Sequence, residues 1–129
     1  MKHRSGLSKF RLSNHRLTIE TGRHGREKLE KEECLCPLCE IPAVEDEIHF
    51  LVRCQTYNEI RSNLFDEEMS QIIESPMDDK EKFVKLMRQS TQIAKFIHHA
   101  MELRMELIEI YYIFPCKFFF TVVLYLLYF

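Results

Sequence analysis

Two thiols separated by two residues constrain this chain more than anything else in it. Cys36-Pro37-Leu38-Cys39 is followed by His49 and Cys54, side chains that can close a tetrahedron around one metal ion. A Cys-x2-Cys pair makes a tight knuckle that turns both sulfurs toward one point, and Pro37 suits that turn. The nine residues from Glu40 to Ile48 form a loop long enough to bring the chain back to the metal. Four residues separate His49 from Cys54, about one helical turn, which predicts that the two share a helix face or straddle a helix start. Zinc takes sulfur and imidazole ligands in closed four-coordinate structural sites, whereas a catalytic zinc keeps one position open. Cys36, Cys39, His49 and Cys54 are therefore the expected ligands and Zn2+ the expected cofactor. Cys34 stands as an alternative to Cys36, through a wider Cys34-x4-Cys39 spacing.

The competing use of these cysteines is a disulfide framework. The chain starts with no stretch resembling a secretory signal and its cysteine count of 5 is odd, so free thiols or a metal site in an intracellular protein, nuclear or cytoplasmic, are expected instead.

The residues around the cluster carry further words: Leu12-Ser13-Asn14-His15-Arg16-Leu17, Ile19-Glu20-Thr21-Gly22-Arg23, and Val44-Glu45-Asp46-Glu47-Ile48-His49-Phe50-Leu51, with Tyr57 and Leu64-Phe65 following. Together with the knuckle they resemble the zinc-binding region near the C-terminal end of non-LTR retrotransposon reverse transcriptase polyproteins, over roughly residues 7 to 65. The resemblance implies Cys36, Cys39, His49 and Cys54 as metal ligands, and a detached or truncated tail of a mobile-element protein.

No enzymatic activity is expected, and no catalytic residue is assigned. A polymerase needs metal-binding carboxylates on a large domain, for which 129 residues leave no room beside this module. The one aspartate pair, Asp78-Asp79, precedes a helical pattern and reads as an N-cap with favourable first-turn charge.

The net charge of −2 hides an asymmetry. Residues 1–31 carry nine Lys or Arg against three Glu, a balance of +6, and the remainder carries nine against seventeen, a balance of −8. A basic arm beside a zinc knuckle suggests RNA or DNA as partner, since neutralised phosphates release counterions and supply affinity independent of sequence. Arg4, Lys9, Arg11, Arg16, Arg23 and Arg26 are the candidate phosphate contacts. Leu7, Phe10, Leu12, Leu17 and Ile19 give the same arm apolar positions, so part of it is expected to pack on the zinc module.

Beyond Cys54, apolar residues at Tyr57, Ile60, Leu64 and Phe65 predict an amphipathic helix over 57–69 that caps the site. Ser75-Pro76 marks a break, and Phe83, Met87, Ala94, Ile97 and Met101 predict a second helix from about Asp79 to Ile108, kinked near Ser90-Thr91. Residues 110–129 carry a single charge, Lys117, and twelve Leu, Ile, Phe or Val. Their summed insertion energy is about −5 kcal/mol against about +3 for the lysine, so a membrane contact through 110–129 competes with incidental apolar sequence.

The expected fold is mainly α: a small zinc-knuckle module followed by amphipathic helices and an apolar C-terminal helix. Its segments are a basic arm (1–31), a zinc-binding module (32–69), an amphipathic helical segment (76–109) and an apolar tail (110–129). Two functions compete: a non-catalytic zinc module that binds nucleic acid through its arm, and a tail-anchored membrane protein with a zinc-stabilised protein-interaction domain. A non-functional mobile-element remnant is the third reading.

Overall fold

A computed structural model describes residues 2–11, 17–24, 28–40, 42–113 and 126–127. Among them six α-helices follow one another: α1 (Lys2–Arg11), α2 (Thr18–His24), α3 (Asn58–Leu64), α4 (Glu67–Glu74), α5 (Asp79–Leu86) and α6 (Ser90–Ile113). The expected mainly α architecture is present, and the described residues contain no strand beyond an isolated antiparallel bridge between Leu35 and Val44.

Helix α6 is the spine. Ile93, Phe96, Ile97, Ala100, Arg104 and Leu107 are buried along it at steps of one, three and four residues, the stripe a helix makes when one face enters a core. Helix α1 lies along this spine, burying Leu7 and Phe10, and its last residue reaches the first residue of α6 through a hydrogen bond from Arg11 Nη2 to Ser90 Oγ at 3.1 Å. The basic arm is thus a packed helix in part. Phe10 meets Phe50 at 5.7 Å, and Phe50 in turn meets Tyr57 at 4.9 Å and Phe96 at 5.5 Å between ring centroids. One apolar core therefore draws on the arm, the knuckle module and the later helices.

The helix expected over 57–69 is two helices. Phe65 is extended, and the Asp66 carboxylate accepts from the Met69 N–H at 2.9 Å, capping α4 as a new helix. The break at Ser75-Pro76 is present, and Asp78 caps α5 by accepting from the Glu81 N–H at 2.8 Å. Asp79 sits in the first turn of α5 and pairs with Arg53, so the aspartate pair has the capping role read from its position. The long helix expected from Asp79 to Ile108 is divided at residues 87–89, where Arg88 and Gln89 donate to carbonyls only three residues back. That tight turn frees α5 to pack on α4 and on the segment that carries His49, while α6 packs on α1 and α3.

Helix α6 continues past Ile108 to Ile113. Among the described residues no helix is long and apolar enough to cross a membrane. Most of the apolar tail, residues 114–125 and 128–129, lies outside the described residues.

Candidate metal centre

The knuckle is held by a short pairing of its flanks. Cys36 N–H donates to the Ala43 carbonyl at 2.7 Å and Glu45 N–H to the Cys34 carbonyl at 2.8 Å, so the Cys36–Cys39 turn projects from the closed end of a small loop. Asp46 then starts the returning segment, its carboxylate accepting from the His49 N–H at 2.8 Å.

From His49 to Arg53 the backbone winds as a π-turn, closed by the Cys54 N–H donating to the His49 carbonyl at 2.7 Å. This detail sets the site. In an α-helix residues five apart are rotated about 140° past a full turn and face away from each other. A turn closed one residue wider brings His49 and Cys54 nearly into line, which is how a His-x4-Cys spacing serves one metal ion. The spacing by itself predicts a shared helix face or a helix start, and no residue in it announces the wider winding.

Cys36, Cys39, His49 and Cys54 come together, their ligating atoms all within 4.8 Å of one another. Cys39 Sγ lies 3.3 Å from His49 Nε2 and 3.5 Å from Cys54 Sγ. A tetrahedron with zinc–sulfur bonds of about 2.3 Å and zinc–nitrogen bonds of about 2.0–2.1 Å has edges of about 3.8 and 3.5 Å, so the donor set fits one such ion with small adjustments. Four residues from two chain segments could thus hold a metal ion.

Electrostatics favours a thiolate at Cys54. Cys54 accepts hydrogen bonds from Cys36, His49 and Thr56, which hold it at about 3 against the opposing effect of burial. Cys36 is pushed far up by its hydrogen bond to Cys54 and by burial, and Cys39 is pushed up by burial and then by Cys54. Of the three sulfurs, Cys54 is thus the one whose ionised form its neighbours favour. Backbone N–H groups of Leu38, Gln55 and Thr56 face Cys36, Cys39 and Cys54 respectively, each favouring the ionised sulfur.

Two buried arginines support this geometry from behind. Arg61 on α3 donates to the carbonyls of Phe50, Leu51 and Cys54 at 3.0, 2.8 and 2.7 Å, occupying acceptors around the π-turn. Burial pushes its guanidinium down to about 10, so it stays cationic at neutral pH, and it lies 5.6 Å above the Phe96 ring. Arg104 on α6 grips Glu45, with Nη2 at 2.6 Å from Oε1 and Nε at 3.0 Å from Oε2. Burial alone would push Arg104 down, but its hydrogen bond and attraction to Glu45 hold it up. The Tyr57 hydroxyl is fully buried without a hydrogen-bond partner, in the field of Cys54, Glu45, Arg104 and Cys36.

Cys34 is not part of the cluster. Its sulfur donates to the Glu30 carbonyl at 3.4 Å and packs against Gly22, where an added Cβ would sit 2.8 Å from it. The alternative Cys34-x4-Cys39 arrangement is set aside because Cys34 leaves a 3-10 turn with its sulfur on the Glu30 carbonyl and against Gly22, while Cys36 joins Cys39, His49 and Cys54.

Of the proposed phosphate contacts, Lys9 and Arg11 are exposed on α1, and Arg11 also spans to the Met87 carbonyl and Ser90. Arg4 lies on α1 and Arg23 on α2 with side chains outside the description, and Arg16 and Arg26 lie outside the described residues altogether.

Fold and site together define a mainly α-helical protein with a largely buried Cys3His cluster able to hold a metal ion, Cys39 being its partly exposed member. No protein-family model, curated protein or solved structure matches the chain.

Proposed function

We propose that this chain is a zinc-organised, non-catalytic module of the kind found near the C-terminal end of non-LTR retrotransposon reverse transcriptase polyproteins, which its motifs resemble. The observation that carries the reading is the convergence of Cys36, Cys39, His49 and Cys54 at near-tetrahedral separations. Zinc supplies a cross-link here, tying the knuckle to the π-turn with a free energy of about 10–16 kcal/mol at neutral pH, which becomes folding energy. Three sulfurs and one nitrogen fill the coordination shell, which supports a structural role over a catalytic one.

Cobalt titration of the full chain tests it. Tetrahedral ligand-field bands and gained helicity are expected, lost in Cys39→Ser and kept in Cys34→Ser. A chain that shows neither band nor gained structure would sink the reading.

A second reading, nucleic-acid binding through the arm, is favoured by the exposed Lys9 and Arg11 on α1 and by the +6 balance of residues 1–31. Affinity for RNA or DNA should then fall steeply with salt and fall further in Lys9→Ala/Arg11→Ala. Binding that ignores salt and both substitutions would rule this out.

A further inference from the structure

Glu45 is the one carboxylate in the described core, and three separate parts of the fold meet on it. Oε1 accepts from the backbone N–H of Thr18, from the Thr18 hydroxyl, both at 2.7 Å, and from Arg104 at 2.6 Å. Oε2 accepts from Arg104 at 3.0 Å and faces the Cys36 sulfur at 3.7 Å. Glu45 is 1% exposed and Arg104 6% exposed, so water screens neither charge. Its backbone is tied as well: its N–H donates to Cys34 and its carbonyl accepts from Ile19 N–H at 3.1 Å.

We propose that Glu45 and Arg104 are positioning residues of the metal centre, so that metal loading at Cys36 and docking of α2 and α6 are one coupled event. This rests on the zinc reading above. The physical argument concerns charge next to a sulfur ligand. A carboxylate 3.7 Å from a metal-bound sulfur repels the negative charge that the metal needs there unless a cation holds it. Arg104 is that cation, and its bidentate grip also fixes where the carboxylate, and hence the Cys36 side chain, can sit. Because Arg104 is on the spine helix and Thr18 opens α2, the carboxylate can be in place only when both helices are docked. The Cys36 sulfur thus reports, through Glu45, on a helix whose contacting residue Arg104 lies 59 residues beyond that glutamate.

The test is cobalt affinity, read from the ligand-field and sulfur-to-metal bands under chelator competition, together with hydrogen exchange of α6 with and without metal. Arg104→Met leaves the Glu45 carboxylate unpaired and is expected to weaken metal binding about 10–100-fold. The double substitution Glu45→Gln/Arg104→Met removes both charges and is expected to recover most of that loss. Ile93→Ala, a core truncation near the start of α6, loosens docking without touching a charge; through the coupling it is expected to weaken binding as well, but adding Glu45→Gln to it is expected to recover nothing. In the natural chain, metal should raise exchange protection of α6. If the natural chain shows tetrahedral bands and Arg104→Met or Ile93→Ala keeps the same affinity, or if Glu45→Gln/Arg104→Met recovers nothing, the proposal is wrong and the zinc reading stands. Absence of bands in the natural chain would overturn both.

Discussion

Arg104 closes on Glu45 across 59 residues of sequence, with two hydrogen bonds of 2.6 and 3.0 Å and both groups buried. Taking two charges out of water costs about as much as their attraction returns, so the pair itself contributes little net stability. Losing one partner is another matter. Arg104→Met should destabilise the protein by about 3–5 kcal/mol, because the carboxylate stays buried without its cation. Glu45→Gln/Arg104→Met should cost far less. Urea unfolding of the three chains measures both, and equal losses in single and double variants would refute the account.

Arg61 fills acceptors that the π-turn leaves around it. Each buried carbonyl stripped of its donor costs about 1–3 kcal/mol, and the Cys54 carbonyl keeps the Tyr57 N–H, so Arg61→Ala should lose about 2–6 kcal/mol from the Phe50 and Leu51 carbonyls. Arg61→Lys should rescue little, since a single ammonium cannot reach three carbonyls arranged for a planar fork. Thermal unfolding decides, and a lysine variant of natural stability would show that charge alone suffices.

Tyr57 holds a buried hydroxyl with nothing to bond. Tyr57→Phe should therefore be neutral or stabilising at pH 7, by as much as about 1–3 kcal/mol if the whole desolvation penalty is relieved. Burial, then the charges of Cys54 and Glu45, push the phenol above its ordinary value of 10.0. An acid whose value is raised by folding lends stability below the unfolded-chain value and loses it as pH rises past it. The natural chain should thus lose about 1.4 kcal/mol per pH unit above pH ~10 from this residue, and Tyr57→Phe should lack that component. Urea midpoints between pH 8 and pH 11 give the comparison, and parallel curves would contradict it.

Gly22 lets α2 approach the loop that leads to the knuckle. Alanine is favoured over glycine within a helix by about 1 kcal/mol, yet its Cβ would lie 2.8 Å from the Cys34 sulfur and 3.4 Å from Leu29 Cδ1. Overpacking of this kind costs about 1–3 kcal/mol, so Gly22→Ala should be net destabilising, and adding Cys34→Ala should restore most of the loss. Differential scanning calorimetry is sufficient, and a stabilised Gly22→Ala variant would mean that the sulfur moves aside freely.

What the sequence determined by itself is local. The Cys-x2-Cys spacing dictates a knuckle whatever surrounds it, Asp78 and Ser75-Pro76 punctuate helices through hydrogen bonds within a few residues, and three- and four-residue apolar steps in residues 93–107 specify a helix with one buried face. Tertiary structure decided the rest. Glu45 belongs to the same run of residues as His49, but nothing along the chain pairs it with Arg104, because that partner is chosen by which helix docks over the knuckle. The choice of Cys36 over Cys34 depends on α2 and Glu30, which take up the Cys34 sulfur, and the π-turn that aligns His49 with Cys54 has Arg61, from the next helix, holding its carbonyls. Spacing fixes what neighbours on the chain can do for one another, whereas burial of a charge or a widened turn is tolerable only when a distant segment supplies the missing hydrogen bonds.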